Sequence, residues 1–171
     1  TRKRCIMQRV YSLLVDNNSG VLSRISGLFT RRGYNIDSIT AGVTADPRFT
    51  RITIVSSGDE IILSQIEKQI AKLEDVIVVK VLKPEESVYR ELILVKIRAN
   101  AQQRSEIVSI ADIFRAKIVD AERESLVIEL TGTQSKLEAF LQLLDGYEIL
   151  ELARTGIAGL SRGIKDVTFI E

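Results

Sequence analysis

The feature that most constrains the fold of this chain is a repeated order of secondary-structure elements. Residues 8–82 predict strands and amphipathic helices in the order βαββαβ, and residues 89–163 predict the same order again. Each half has about 75 residues, near the lower end of the size of an independent domain. The sequence therefore predicts an α+β protein of two consecutive βαββαβ domains, with a polar linker at residues 83–88 and a tail at residues 164–171.

Hydrophobic periodicity locates the elements of the first half. Residues at three- and four-residue spacing predict two helices, with the stripes Val21, Leu22, Ile25, Leu28, Phe29 and Ile62, Ile66, Ile70, Leu73. Gly33 is placed to end the first helix in a left-handed conformation. Strands are predicted at residues 8–15, 34–44, 51–57 and 76–82.

The second half has the same pattern with little residue identity to the first. Strands are predicted at residues 91–97, 116–121, 125–130 and 147–153, and helices at 106–114 and 135–144. The glycine-rich segment 153–163 fits either a flexible terminus or an ordered contact. In such a fold both helices cover one face of the sheet, so the other face is expected to pack on the other half, a second copy or a different protein.

Composition narrows the class of protein. Of 171 residues, 45% are hydrophobic and 27% charged, as in soluble globular proteins, and the net charge of +1 favours neither nucleic acid nor anionic membrane. Residues 1–7 are basic but lack the apolar core of a signal peptide, and no apolar run would span a bilayer. These observations predict a cytoplasmic protein.

The absence of histidine argues against an enzyme. The chain has no His and a single cysteine, Cys5, so the usual general base is missing and no intrachain disulfide can form. Cys5 is interpreted as a bystander thiol. The residues Asp16, Asp37 and Asp46 are not spaced as a metal cage, and neither a dinucleotide glycine motif nor an RNA-binding aromatic motif occurs.

The segment 15–36 is the best candidate for a ligand site. A strand ends there in a polar turn closed by Gly20, a helix follows, and Asn35 opens the next strand. We expect the turn, the helix start and this strand start to come together around a small ligand. Gly20 has two interpretations. Either the turn needs glycine only for its backbone conformation, which the fold alone favours, or the missing side chain lets a ligand's carboxylate reach the amides at the start of the helix. Asn35 fits equally a helix or turn cap, or a residue that binds an amino acid.

Several blocks of the sequence support a more specific interpretation. The first half contains DNNSGVLSRISGLFTRRGYNIDSIT, TRITIV, GDE and QIEKQIAKLEDVIVV, and the second contains RELILVKI, IADIFRAKIVD, LTGTQSKLEAFL and ARTGIAGLSRG. Across residues 9–163 these blocks closely resemble the small regulatory subunit of acetohydroxyacid synthase (acetolactate synthase). The resemblance implies that the first half is an ACT domain, which senses amino acids, and that the second is the family's C-terminal ferredoxin-like domain.

The resemblance also implies a function. Such subunits are non-catalytic; they activate a large catalytic subunit that holds thiamine diphosphate, Mg²⁺ and FAD, and confer feedback inhibition by valine, leucine or isoleucine. They form homodimers through their ACT domains, with the effector at the interface. No catalytic residue, metal site or cofactor is expected in this chain, and the implied effector-binding residues are Asn17, Ser19, Gly20, Val21, Leu22, Asn35 and Ile36.

The family's N-x-S-G turn and G-[YF]-N-I strand start are both present, with departures at Asn18 and Gly42 that could alter which branched-chain amino acid is preferred. A stand-alone ACT-type amino-acid-sensing regulator is the alternative function, although no helix-turn-helix stretch lies outside the repeats. An isomerase or small hydrolase on the same fold is disfavoured by the absence of histidine.

Overall fold

The computed structural model describes residues 5–168, which divide into two compact units. Unit 1 contains the residues up to Val88 and those from Ile157 onward, and unit 2 contains Tyr89–Gly156. The element order βαββαβ occurs twice, so the α+β class and the repeat predicted from the sequence are confirmed. Among the described helices the longest has 13 residues, and none is long and apolar enough to cross a membrane.

Unit 1 is built on an antiparallel sheet with the strand order β2-β3-β1-β4. Its elements are β1 (Met7–Asp16), α1 (Val21–Arg32), β2 (Ser38–Val43), β3 (Phe49–Gly58), α2 (Glu60–Ala71) and β4 (Val76–Leu82). Successive side chains of a strand point to opposite faces, so Tyr11, Leu13 and Val15 face the core together with Ile52 and Ile54.

Both helices of unit 1 bury one apolar stripe on this sheet. In α1 the buried residues are Val21, Ile25, Leu28 and Phe29, and Gly33 ends the helix with φ +67°, as predicted. Leu22, which was also predicted in this stripe, is 49% exposed. The Asp59 carboxylate caps α2 by accepting from the Ile62 amide at 2.9 Å. Leu63 is fully buried in α2, whereas the predicted core residue Ile62 is only partly buried.

Unit 2 repeats the architecture with the strand order β6-β7-β5-β8. Its elements are β5 (Ser87–Arg98), α3 (Ala101–Ile113), β6 (Lys117–Ala121), β7 (Ser125–Gly132), α4 (Gln134–Leu143) and β8 (Ile149–Arg154). The core contains Ile93, Val95, Ile97, Ile107 and Phe140. Helix α3 begins five residues before the predicted start at residue 106, because Asn100 and Gln103 form a capping box at its N-terminus.

The connecting segments are more ordered than the sequence indicated. The expected linker at residues 83–88 contains a 3₁₀ turn, Pro84–Glu86, and the first residues of β5. Residues 157–163, expected to belong to the second domain, group with unit 1, where β9 (Ala158–Ser161) contacts β1 and β4. Residues 1–4, the start of the basic segment that lacks the apolar core of a signal peptide, and residues 169–171 of the expected tail lie outside the described residues.

The two sheet faces that carry no helix differ from one another. In unit 1 this face is buried at Val10, Ser12, Leu14, Thr53 and Val55. Strand β9 contacts β1 and β4 of the same unit. The corresponding face of unit 2 exposes Leu94 and a Lys96–Glu151 ion pair of 2.8 Å. The helix-free face is therefore covered at the centre of the sheet in unit 1, whereas in unit 2 part of it is exposed and available for the expected packing on a second copy or a different protein.

Candidate functional site

The β1–α1 turn, residues 17–20, is held in place by the loop between β2 and β3. The Asn17 amide donates to the Arg48 carbonyl at 2.8 Å, and its side-chain nitrogen donates to the Pro47 carbonyl at 2.9 Å. The Asn17 side-chain oxygen accepts from the Thr50 hydroxyl at 3.1 Å. Both ends of the Asn17 side chain are thus used within the chain. These hydrogen bonds fix the turn.

The turn leaves the start of α1 without a side-chain cap. Gly20 occupies the N-cap position with φ +86°, and no side chain there accepts from the helix amides. Helices α2, α3 and α4 each have a capping side chain, from Asp59, Asn100 and Thr133 respectively. The first amides of a helix have no partner within the helix, so those of α1 are placed to bind an external acceptor.

The apolar residues expected around the ligand have different environments. Val21 is 5% exposed and belongs to the core of unit 1, and Ile36 is partly buried against the same core. Leu22 is 49% exposed, and Ser19 is also exposed. Of these, Leu22 is the apolar side chain beside the turn that is free to contact a ligand.

Asn35 lies at the opposite end of the sheet from the β1–α1 turn. The amide of Asp37 donates to the Val55 carbonyl, and Val55 pairs with Val10, whereas the turn follows Asp16 at the other end of β1. Val10 and Asp16 are six residues apart along β1, which at about 3.3 Å per residue is roughly 20 Å. The expectation that the strand start joins the turn around one ligand is therefore wrong within a single copy.

At its own end of the sheet, Asn35 belongs to a small polar cluster. Its side-chain nitrogen donates to the Asp37 carboxylate at 2.5 Å, and its carbonyl accepts from the Ser56 hydroxyl. The Asp37 carboxylate also accepts from Ser57 and, at 3.3 Å, from Gln8. Asn35 itself is exposed, so its amide is held in position and remains accessible from solvent.

The structure adds a charged residue to the turn that sequence reasoning did not select. Arg24, on the first turn of α1, has Nη1 only 3.1 Å from where a Cβ on Gly20 would lie. Its Nε donates to the Asp75 carboxylate at 2.5 Å, and this hydrogen bond raises the pKa of the Arg24 guanidinium. The four-residue spacing between Gly20 and Arg24 was the available signal, since such residues share one face of a helix.

Among the described residues, the neighbourhood of the turn contains a further ion pair and no metal-binding cluster. In the β2–β3 loop the hydrogen bonds from the Arg48 guanidinium hold the pKa of Asp46 below its usual value, with an N–O distance of 2.7 Å. Among residues 5–168, no group of three or more His, Cys, Asp or Glu side chains is arranged to hold a metal ion. The thiol of Cys5 is free and exposed.

Comparison with known proteins identifies the family. Residues 11–78 match the model of the ACT domain of acetohydroxyacid synthase small-subunit-like proteins, and residues 90–163 match that of the small subunit of acetolactate synthase. The acetolactate synthase isozyme 3 small subunit of Escherichia coli is 48% identical over 160 residues, covering 93% of this chain and 98% of that protein. The probable acetolactate synthase small subunit of Methanothermobacter thermautotrophicus is 48% identical over 155 residues, covering 90% and 92%.

A solved structure agrees with these matches. The crystal structure of the acetolactate synthase small subunit from Thermotoga maritima superimposes with a TM-score of 0.86 at 42% identity, covering 92% of this chain and 99% of that one. Both units and nearly the whole length of the relatives are therefore represented. The chain belongs to the family of acetolactate synthase small subunits, and its first half is an ACT domain of that family.

Proposed function

We propose that this chain is the regulatory subunit of an acetolactate synthase in branched-chain amino-acid biosynthesis. It binds the large catalytic subunit in the cytoplasm, raises its activity, and confers feedback inhibition by valine, leucine or isoleucine without catalysis of its own. The observation that carries the proposal is the family match over both units. Thiamine diphosphate, Mg²⁺ and FAD are assigned to the catalytic partner.

The effector's carboxylate is assigned to the β1–α1 turn. The uncapped amides at the start of α1 offer hydrogen bonds to an anion, and the helix dipole favours negative charge there. Gly20 has no side chain to block the approach. Leu22, exposed beside it, offers an apolar contact for a branched side chain. A small apolar amino acid has both the carboxylate and the apolar side chain that these contacts would bind.

The effector's remaining polar contacts are assigned to Asn35 of a second copy. Within one copy Asn35 is roughly 20 Å from the turn by the strand spacing given above, too far for one amino acid to bridge. Strand β2 is an edge of the sheet and exposes Ile39 and Val43. Antiparallel pairing of two β2 edges about a two-fold axis brings the partner subunit's Asn35 to the end of the sheet that holds the turn.

A site shared by two copies gives the effector a route to regulation. Binding favours the arrangement of the pair in which both halves of the site are closed around the ligand. The effector thereby shifts the equilibrium between the two arrangements of the pair that the catalytic subunit meets. The free energy of this shift is at most the difference in effector binding free energy between the two states.

Reconstitution tests the function. The chain is mixed with the large catalytic subunit, the complex is isolated, and acetolactate formation is measured with and without valine. We expect co-purification, higher activity than the large subunit alone, and inhibition as valine is added. A chain that binds valine but neither associates with the large subunit nor alters its activity would instead be a stand-alone regulator.

Two matched variants test the turn. Gly20→Asp and Gly20→Asn have nearly the same shape, and both residues tolerate the left-handed conformation better than other side chains. They differ in charge, so the aspartate should repel the effector's carboxylate and abolish valine inhibition in the isolated complex, whereas the asparagine should retain part of it. Equal valine inhibition in Gly20→Asp and the unmodified chain would exclude the turn as the carboxylate site.

A mixed dimer tests whether the site is shared. Gly20→Asp and Asn35→Ala copies are given different tags, and the heterodimer is purified for calorimetry with valine. Each homodimer should bind valine weakly, whereas the heterodimer has one intact turn facing one intact Asn35 and should bind one valine per dimer. A site confined to one copy predicts no intact site in the heterodimer, so absence of binding there would refute sharing.

A further inference from the structure

The guanidinium of Arg24 lies beside the space that Gly20 leaves open. A Cβ on Gly20 would lie 3.1 Å from Arg24 Nη1 and 3.9 Å from Cζ. The same helix contains a similar pair, Gly27 and Arg31, at 3.3 Å, but that pair lies in the middle of the helix. Of these two arginines, Arg24 is therefore the one whose guanidinium lies at the uncapped start of the helix.

Asp75 fixes this guanidinium from the other side. Arg24 Nε donates to Asp75 Oδ2 at 2.5 Å, and the Asp75 side chain is only 15% exposed. The Asp75 carbonyl accepts from the Asp16 amide at 2.9 Å, which ties the acid to the last residue of β1. The carboxylate is therefore anchored immediately before the β1–α1 turn, and it determines where the guanidinium lies.

This arrangement leaves part of the guanidinium available. Arginine has five N–H donors in a planar fork, and Asp75 engages the one on Nε. Among residues 5–168, no hydrogen bond is made by the Nη groups of Arg24, whose side chain is half exposed. Donors on Nη1 thus lie beside the place where helix amides would hold an anion, and a carboxylate can accept from both.

We propose that Arg24 binds the carboxylate of the amino-acid effector and that Asp75 positions Arg24 for this contact. The inference rests on the proposed function of the β1–α1 turn and names the charged group that completes it. It also gives Gly20 a second role, because a Cβ there would press on the guanidinium at 3.1 Å as well as narrow the turn. Arg24 is then a ligand-binding residue and Asp75 a positioning residue.

Calorimetry on the full-length chain tests the proposal with two probes, L-valine and L-valinamide. The two share the side chain and the ammonium group but differ in the carboxylate. We expect the unmodified chain to prefer valine and Arg24→Gln to lose valine affinity by about 10- to 100-fold, the range for a charge-assisted hydrogen bond. Valinamide binding should change little, so the valine-to-valinamide preference should collapse.

Three further variants separate this role from a structural one. Arg31→Gln removes the matched arginine over Gly27 and should keep the preference for valine. Arg24→Lys keeps the positive charge and should retain part of the preference for valine over valinamide. Asp75→Asn keeps Arg24 but weakens its anchor, and should give an intermediate preference. A variant that lost both ligands equally would point to a structural role alone.

The outcomes distinguish this inference from the proposed function. If the unmodified chain binds valine and Arg24→Gln retains the full preference for valine over valinamide, Arg24 is not the carboxylate partner, and the proposed function stands. If the unmodified chain binds none of valine, leucine and isoleucine in the presence of its catalytic subunit, the effector role of the turn fails, and the assignment of Arg24 fails with it.

Discussion

Replacing Gly20 with alanine should both destabilise unit 1 and weaken effector binding. Gly20 has φ +86°, and a non-glycine residue in the left-handed region costs about 1–2 kcal/mol. Its new Cβ would stand 3.1 Å from Arg24 Nη1, so the guanidinium must also shift by a few tenths of an ångström from its position beside the turn. Displacing one charge-assisted contact of about 1.4 kcal/mol lowers the affinity for valine roughly tenfold.

Gly146→Ala is the matched control for this variant. Gly146 has φ +93°, and no heavy atom lies within 4 Å of the position that a Cβ there would take, so alanine has the same backbone cost without a displaced neighbour. Both variants should unfold at lower urea concentration, followed by circular dichroism, whereas only Gly20→Ala should bind valine more weakly in calorimetry. Equal valine affinities in the two variants would refute the link between the Gly20 space and the ligand site.

Three other predictions concern the stability contributed by Tyr11, Asn17 and Asp59. Burial raises the pKa of Tyr11 to about 12, so the stability that its neutral hydroxyl contributes is complete below pH 10 and is lost as pH rises towards 12. Alkaline urea titrations should show a loss on the order of 2 kcal/mol over that window, and the loss should be absent in Tyr11→Phe. Asn17→Ala should lower the free energy of unfolding by about 1–2 kcal/mol, since its side-chain hydrogen bonds with Pro47 in the β2–β3 loop and with Thr50 in β3 disappear. Asp59→Ala should cost about 1 kcal/mol in the same urea measurement through the lost cap on the Ile62 amide, with no change in valine affinity.

The local part of the fold was predictable because it depends on spacing along the chain. The stripe from Val21 to Phe29 and the glycine at position 33 predicted α1 and its end, and both are confirmed. The start of α3 was missed because its first turn is polar and adds nothing to an apolar stripe. The Asn100–Gln103 pair, a capping box, was the signal that could have located it.

The candidate site was predictable only in part. Sequence order places Asn35 shortly after the turn, and nearness along the chain was taken for nearness in space. A 12-residue helix separates the two, and at about 1.5 Å per residue it carries the chain to the other end of the sheet. The same residues therefore imply either two unrelated positions or a site that a second copy completes.

The sequence by itself determined the class of fold, the order of elements in both units, and the glycine turn with its helix, because periodicity and turn chemistry act over a few residues. The tertiary structure alone decided that Asp75, 51 residues from Arg24 along the chain, anchors the guanidinium beside Gly20. It likewise decided that Asn17 is tied to the β2–β3 loop and that Asn35 lies at the far end of the sheet from the turn. These contacts depend on the strand order and register of the sheet, which are set by the packing of the whole core and not by any one segment.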